Sequence, residues 1–261
     1  MKSMVKAIIA GSCVIVLGVA ILITALALNG WTFKAHFDTK EFNAEQENSK
    51  IVVENSVGEI KINYYDGEKV QIIYPESKKY SLSISEKDGT VRVKSPSPKW
   101  YEFSIWWTDI PETVINLPQD TRFELDLTVN AGSLRLLEGE YSKVRLTVNA
   151  GSLNVKKVDC DIFNAEVNAG SMQINDLVCE TSFKGEVNAG SMNAKGVTSP
   201  RITADVSAGS LNMTVNGKKS EYSIDAHVSA GSSNLSSQQG TTDKILRAEV
   251  SAGSLNVTFT S

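Results

Sequence analysis

Histidine, cysteine and proline are scarce in this chain, and each shortage removes a class of function. The 261 residues hold two histidines and three cysteines. No C-x-x-C or H-x-x-x-H spacing joins them, which excludes a zinc site. His36 and His227 lie far apart, so no Ser-His-Asp arrangement can be built, and no G-x-x-x-x-G-K phosphate loop is present. Basic clusters are missing too. Beyond Gly30 the chain carries 24 basic and 30 acidic residues; nucleic acid is not an expected partner, because a phosphate-binding surface needs clustered Lys and Arg. No cofactor is implied. Of six prolines only Pro200 follows Pro118, which suits a region whose backbone is committed to ladders. A chain that is 41% hydrophobic and 21% charged belongs with folded proteins.

One long apolar run is present. Ala7 to Leu28 carries no charge and is long enough to cross a hydrocarbon core of about 30 Å as a helix. Lys2 and Lys6 precede it, which places the N-terminus in the cytoplasm and the remainder outside. Ala25-Leu26-Ala27 resembles a signal-peptidase site and Ala10-Gly11-Ser12-Cys13 a lipoprotein box. The first follows a run longer than a usual signal core and the second sits at the wrong end. The expectation is a single-pass cell-membrane protein: a cytoplasmic stub and uncleaved anchor over 1–30, a stalk over 31–49 and an extracellular domain over 50–261.

From Lys50 the texture becomes β. Ile51 and Val53 alternate, as do Ile60, Ile62 and Tyr64, then Val70, Ile72 and Tyr74, with later pairs at Leu82 and Ile84 and at Val91 and Val93. Asp66-Gly67 and Asp88-Gly89 between these runs signal tight hairpins. Residues 50–118 therefore read as an irregular N-terminal part built from strand pairs. Pro96, Pro98, Pro111 and Pro118 bracket a loop holding Trp100, Tyr101, Phe103, Trp106 and Trp107. Three readings stay open for it: a lid over the core, a ligand platform, or contact with the membrane interface where Trp and Tyr collect.

Residues 119–261 repeat one phrase. V-N-A-G-S-L stands at Val129 and Val148, V-N-A-G-S-M at Val167 and Val187, and V-S-A-G-S-[LS] at Val206, Val228 and Val250. The central glycines are Gly132, Gly151, Gly170, Gly190, Gly209, Gly231 and Gly253, spaced by 19, 19, 20, 19, 22 and 22 residues. A period near 20 marks a repeat architecture in which each unit is one rung. Apolar columns fall seven, five, three and one residue before the glycine, and again two and four after it. The parity break at Gly-Ser predicts a strand turning a corner with its apolar side inward, glycine serving there through positive φ or close backbone approach. The expected fold is a parallel β-solenoid of about seven coils in chain order, identical residues stacked at about 4.8 Å. Two polar columns predict stacked amide ladders: Asn130, Asn149, Asn168 and Asn188, giving way to Ser207, Ser229 and Ser251, and Arg135, Asn154, Gln173, Asn193, Asn212, Asn234 and Asn256. Val53 to Ile60 is a candidate worn copy of the phrase.

The V-G-E-I-K-I strand, Glu112-Thr113-Val114-Ile115-Asn116-Leu117-Pro118 and the multiplied [NS]-A-G-S-L phrase resemble the bacterial putative-adhesin family over Lys50 to Ser261. With the anchor, the layout is similar to LiaG-type proteins of Gram-positive envelope-stress operons. The resemblance implies a cell-surface β-solenoid, no established activity and no defined site residues.

Four residues before the glycine, Glu166, Glu186 and Asp205 are expected one coil apart on an outward face. Lys184 and Arg247 on the same face can offset their repulsion, which is only about 0.8 kcal/mol for charges ~5 Å apart in water. The bland reading is a solvated salt-bridged face; weak Ca²⁺ binding and carbohydrate hydrolysis are the sharper ones. Cys160 and Cys179 fall in nearly matching places of adjacent coils, a candidate disulfide, with a one-place ambiguity in whether both thiols face the same way. The chain ends directly after its last strand, which predicts an exposed final coil and end-to-end self-association. The function expected is a non-catalytic adhesin-like binding or structural module at the bacterial surface, with a protein or cell-wall carbohydrate as partner. The rival is a regulatory component of an envelope-stress system that contacts a membrane protein.

Overall fold

The computed structural model describes residues 36–97 and 110–260, together with Thr24. No helix among the described residues is long and apolar enough to cross a membrane. The rest of the run Ala7–Leu28 lies outside them, as do Trp100, Tyr101, Trp106 and Trp107.

The described fold is all-β. Seven strands precede the regular repeats: β1 (Asp38–Asn43), β2 (Lys50–Asn55), β3 (Glu59–Tyr65), β4 (Gln71–Glu76), β5 (Ser83–Lys87), β6 (Thr90–Lys94) and β7 (Thr113–Pro118). Coil one is β8 (Phe123–Val129) and β9 (Ser133–Leu136). Coils two to four run through β10 (Gly139–Val148), β11 (Ser152–Val167), β12 (Ser171–Val187) and β13 (Ser191–Thr198). Coil five is β14 (Arg201–Val206) and β15 (Ser210–Asn216), coil six β16 (Tyr222–Val228) and β17 (Ser232–Ser233), and coil seven β18 (Lys244–Val250) and β19 (Ser254–Thr260). Each coil thus has an A arm before its glycine and a B arm after it. Stacking is parallel and in register, as the columns predict: Val148 faces Val167, Val167 faces Val187, and Met172 faces Met192. The inward side chains of both arms form one continuous core.

The worn copy is a true rung. β2 and β3 lie parallel to β8 and β9, with Ile51 opposite Leu125 and Ile60 opposite Leu134. Asn55 occupies the place of the repeated valine, and its amide donates to the carbonyls of Gly58 (3.1 Å) and Ser133 (2.8 Å). A further rung, β6 and β7, stacks on its far side. Only one of the two Asp-Gly signals makes a hairpin between paired strands. β5 and β6 pair across Asp88-Gly89, whose φ values are 50° and 69°. β3 and β4 do not pair across Asp66-Gly67; both flank β7. β1, in the segment read as stalk, is a strand of this end, antiparallel to β4.

Of the two roles expected for the corner glycine, close approach is the one used, and the alanine beside it departs from its reading. None of the seven repeat glycines has a positive φ. Glycine is required there because the coils nearly touch: a Cβ on Gly170 would lie 2.3 Å from the Gly151 carbonyl oxygen and 2.5 Å from Val148 Cγ1. The alanine before each glycine is not core. Ala131, Ala150, Ala169, Ala189, Ala208, Ala230 and Ala252 are all exposed, because extended geometry ends at the valine and the corner begins at the next residue, so period-two parity no longer applies. Left-handed backbone occurs instead at a second bend, at Lys157, Asp176 and Gly196.

The largest departure is the order of the coils. β18 lies between β14 and β16, and β19 between β15 and β17. The stack therefore runs five, seven, six, and the expectation that the C-terminal coil forms the open end is wrong. Core composition supplies the reason. Two residues after its glycine, coil six has Ser233 where the other repeats have Leu or Met. Burying that hydroxyl in the apolar column would cost about 1–3 kcal/mol, whereas Leu255 and Val257 of coil seven gain by burial and are 2% and 3% exposed. The weaker rung goes outside. Its outer edge is covered: the segment after β17 folds back so that Ile224 and Gln238 exchange both backbone hydrogen bonds at 2.9 Å, one way of protecting an edge strand.

Candidate functional site

Two outward faces carry the chemistry. On the A face the coil order changes the predicted acidic patch. Glu166 sits opposite Glu186 and Glu186 opposite Asp205. Glu249 then stands opposite Asp205, with His227 beyond it. The row holds four consecutive carboxylates, of which Glu249 was invisible to a reading in chain order because coil six intervenes. Lys184 neutralises its centre, 2.9 Å from Glu186 and 3.9 Å from Asp205, and the bond to Glu186 raises the lysine's pKa. Partial burial raises that of Asp205, with Lys184 opposing. Arg145 and Arg247 are engaged with Asp126 and Asp225, each at 3.7 Å. Among the described residues no group of three or more His, Cys, Asp or Glu has the geometry to hold a metal ion. Lys184 thus bridges the two central carboxylates, while Glu166 and Glu249 make no ion pair among the described residues, and the face is charged and partly salt-bridged.

The B face is different. Its first outward column is the repeated serine, including Ser152, Ser171, Ser191, Ser210 and Ser254. Its second is Arg135, Asn154, Gln173, Asn193, Asn212 and Asn256; Arg135 is paired with Glu59 and Glu112, and Asn234 of coil six is bonded to the Val257 backbone. Adjacent coils bring Ser191 opposite Ser210 and Ser254, and Asn193 opposite Asn212 and Asn256. From coil two to coil five and on to coil seven, these two columns form an array of neutral groups, about 4.8 Å apart along the stack and about 6.6 Å apart across it, bordered by the exposed Lys156 and Lys195 of the next outward column.

This chain also shows what stacked amides do when they serve the fold. Two residues before the glycine, Asn149 donates to Asn130 (2.8 Å), Asn168 to Asn149 (2.8 Å) and Asn188 to Asn168 (2.7 Å). The ladder continues to Ser56 below and Ser207 above. In the B-face column only Asn154 and Gln173 meet, at 3.5 Å. The amides of Asn193, Asn212 and Asn256 point outward with their hydrogen-bonding capacity unspent on the chain. Sequence reading had both columns as ladders, because spacing alone does not show at which end of an arm the side chains turn toward each other.

Cys160 and Cys179 are register partners, both buried, and both thiols face the core. The register shift between the two coils falls just after Cys160, which settles the one-place ambiguity. The sulfurs are 3.9 Å apart and free. Their contact, together with burial, drives the pKa of Cys179 far upward.

The comparisons with known proteins add a family to this geometry. The Toastrack DUF4097 family model matches residues 48–261. The chain belongs to that family. Several solved structures are similar to it, among them these two named for adhesion. A putative adhesin from Bacteroides fragilis aligns over 88% of this chain and 100% of its own, with 12% identity and a TM-score of 0.50. A putative cell adhesion protein from Clostridium sporogenes aligns over 86% of this chain and 100% of its own, with 17% identity and a TM-score of 0.37. At such identities the first likeness speaks for the shared Toastrack fold. No curated protein is similar to the chain in sequence. Membership covers the worn rung and all seven repeats, so the whole β domain from Asn48 onward is one Toastrack unit.

Proposed function

We propose that this Toastrack protein is a membrane-anchored, non-catalytic binding module of the bacterial surface, and that it docks a neutral hydroxyl-rich polymer, a cell-wall glycan chain, on its B face. The observation that carries the reading is the contrast between the two amide columns. Amides that ladder are consumed by the fold; Asn193, Asn212 and Asn256 are not, and each both donates and accepts. A lattice of neutral serine and amide columns suits sugar hydroxyls better than a charged ligand, and the A face, with its row of carboxylates, offers less. The name of the Bacteroides fragilis relative agrees with a binding role. The uncharged run Ala7–Leu28 behind Lys2 and Lys6 supports anchorage with the domain outside.

The test is binding of the detergent-solubilised full chain to purified cell-wall glycan, wild type against the triple variant Asn193→Ala/Asn212→Ala/Asn256→Ala. A loss of tenfold or more in affinity with an unchanged melting temperature is expected; tenfold is about 1.4 kcal/mol, within reach of three lost hydrogen bonds. Equal binding by the triple variant would refute the B face as the site. The regulatory alternative predicts something else: crosslinking in membranes would capture a membrane protein, and the triple variant would keep full activity.

A further inference from the structure

The inserted position of coil seven has a consequence for self-association. Its two arms fill a slot whose walls belong to the same chain: coil five on one side, coil six on the other. Ser251, Ala252 and Ser254 donate to Val206, Ser207 and Gly209 at 2.7–3.0 Å, while Val250, Ser251 and Gly253 accept from Ser229, Ala230 and Ser232 at 2.7–2.9 Å. Coils five and six are joined across the slot by a short link, Gly217 to Glu221, which contains one turn of 3₁₀ helix (Lys219–Glu221). The filling coil is joined to coil six through Gly240-Thr241-Thr242-Asp243, of which Thr241, Thr242 and Asp243 are exposed. Local bonds hold this link: Gly240 N–H donates to Ser223 Oγ (3.1 Å), Thr241 N–H to the Ser220 carbonyl (2.9 Å) and Thr242 Oγ1 to the Glu221 carbonyl (2.6 Å).

We infer that the slot accepts the C-terminal coil of a second copy, residues 244–260, so that the chain forms strand-exchanged dimers. A coil arriving from another copy makes the same backbone bonds and the same core contacts as the chain's own, so the cost of exchange is that of bringing two copies together and of reopening the hinge. The short polar hinge must change, giving up its bonds to Ser220, Glu221 and Ser223. Segment Leu235–Gln239 can stay on the β16 edge while residues 240–243 redirect the last coil. The seventh repeat also carries the same V-S-A-G-S-L phrase as the fifth, so it recognises the wall of any copy equally well. This differs from end-to-end stacking, for which the covered edge of coil six leaves little backbone free.

The experiment uses full chains carrying one added cysteine each. Asn212 and Asn256 are exposed register partners on coils five and seven, at the parallel spacing of about 4.8 Å, inside the Cα window for a disulfide. An Asn212→Cys copy and an Asn256→Cys copy are refolded together and oxidised, and linked peptides are identified by mass spectrometry. The expected result is a covalent dimer joined 212 to 256, its yield rising with refolding concentration and at least tenfold above a control pair, Asn193→Cys with Asn256→Cys, whose coils are not neighbours. A yield no greater than the control at any concentration would overturn the exchange. The single-chain Asn212→Cys/Asn256→Cys variant is expected to close its own disulfide in dilute solution; if it links 212 to 234 instead when Asn234→Cys is added, the slot itself does not exist and the inference falls with it.

Discussion

Coils one to five and coils five to seven are written in the same phrase but packed by different rules. In the first group, chain neighbours are spatial neighbours, every corner glycine meets the glycine before it, and the asparagine ladder runs unbroken from Asn130 to Asn188. In the second group the phrase loses its asparagine, the period lengthens from 19–20 to 22 residues, and the order becomes five, seven, six. The longer links are what allow a coil to be stepped over. The comparison teaches that a solenoid phrase specifies that coils stack but not which coils meet. Each V-[NS]-A-G-S corner is complementary to every other, and the choice passes to the core residues that differ between coils.

The comparison can be broken hardest at the corners. Gly170→Ala places a methyl 2.3 Å from a carbonyl oxygen, with rungs on both sides that cannot give way. Its expected cost is about 3 kcal/mol, at the upper end of overpacking, read by denaturant unfolding. Gly231→Ala meets the Gly253 carbonyl at the same 2.3 Å, yet coil six is terminal and can lift away, so about 1 kcal/mol is expected. Equal losses at the two sites would show that coil six is held as rigidly as the interior.

Core identity comes next. Leu255→Ser removes a buried side chain from the inserted coil and should cost about 2–4 kcal/mol. Ser233→Leu should change stability by less than about 1 kcal/mol, since that position is half-buried at the end of the stack and gains only part of a leucine's burial. A large loss from Ser233→Leu would argue against composition as the reason for the coil order.

Smaller effects separate the amide columns. Asn168→Ala breaks two ladder bonds of 2.7–2.8 Å and should cost about 1–2 kcal/mol. Asn212→Ala should lie within about 0.5 kcal/mol of wild type, because its amide bonds nothing in the chain. Melting curves of the two variants side by side would sharpen or erase the distinction on which the binding proposal rests.

The pH responses of the two regions should be opposite in sign. At the end cap, Glu221 is held below the usual carboxylate range by its hydrogen bond from Lys244, at 2.7 Å. A lowered folded pKa contributes stability that is present above the unfolded value and lost as pH falls through the folded one. Amide exchange in the cap should therefore quicken on acidification below the ordinary glutamate pKa. Asp205 is raised by burial. The folded state there holds its proton more tightly than the unfolded, so lowering pH toward the carboxylate range relieves the A-face row. Its neighbouring amides should keep or gain protection over the same interval. Loss of protection in both regions together would show one cooperative acid transition.

Much of the molecule was legible before any coordinates. The repeat columns predicted the arms, the register, the in-register Val and Leu/Met stacks and the parallel sense, because period-two burial and a shared corner leave few alternatives. Val53 to Ile60 was recognisable as a worn rung through its spacing, although Asn55 sits where valine belongs. Less was legible at the corners. The exposed alanines fit an alternating pattern that the backbone had already abandoned, and spacing alone did not choose between positive φ and close approach as the reason for glycine. Asp66-Gly67 carried a hairpin signal, yet β7, from Thr113–Pro118 much later in the chain, separates the two strands it joins.

By itself, the sequence determined that this chain would be a stack of two-armed β rungs with a polar, mildly acidic exterior, since those features depend on local alternation and on the sum of its charges. Only the tertiary structure decided which rungs touch. That choice placed Glu249 beside Asp205, slid coil seven inside coil six, and left one amide column laddered while the other faces outward. The physical reason is common to all three. Identical backbone corners make the possible neighbours nearly degenerate, and differences of a few side chains, Ser233 against Leu255 chief among them, are enough to select the neighbour actually bound.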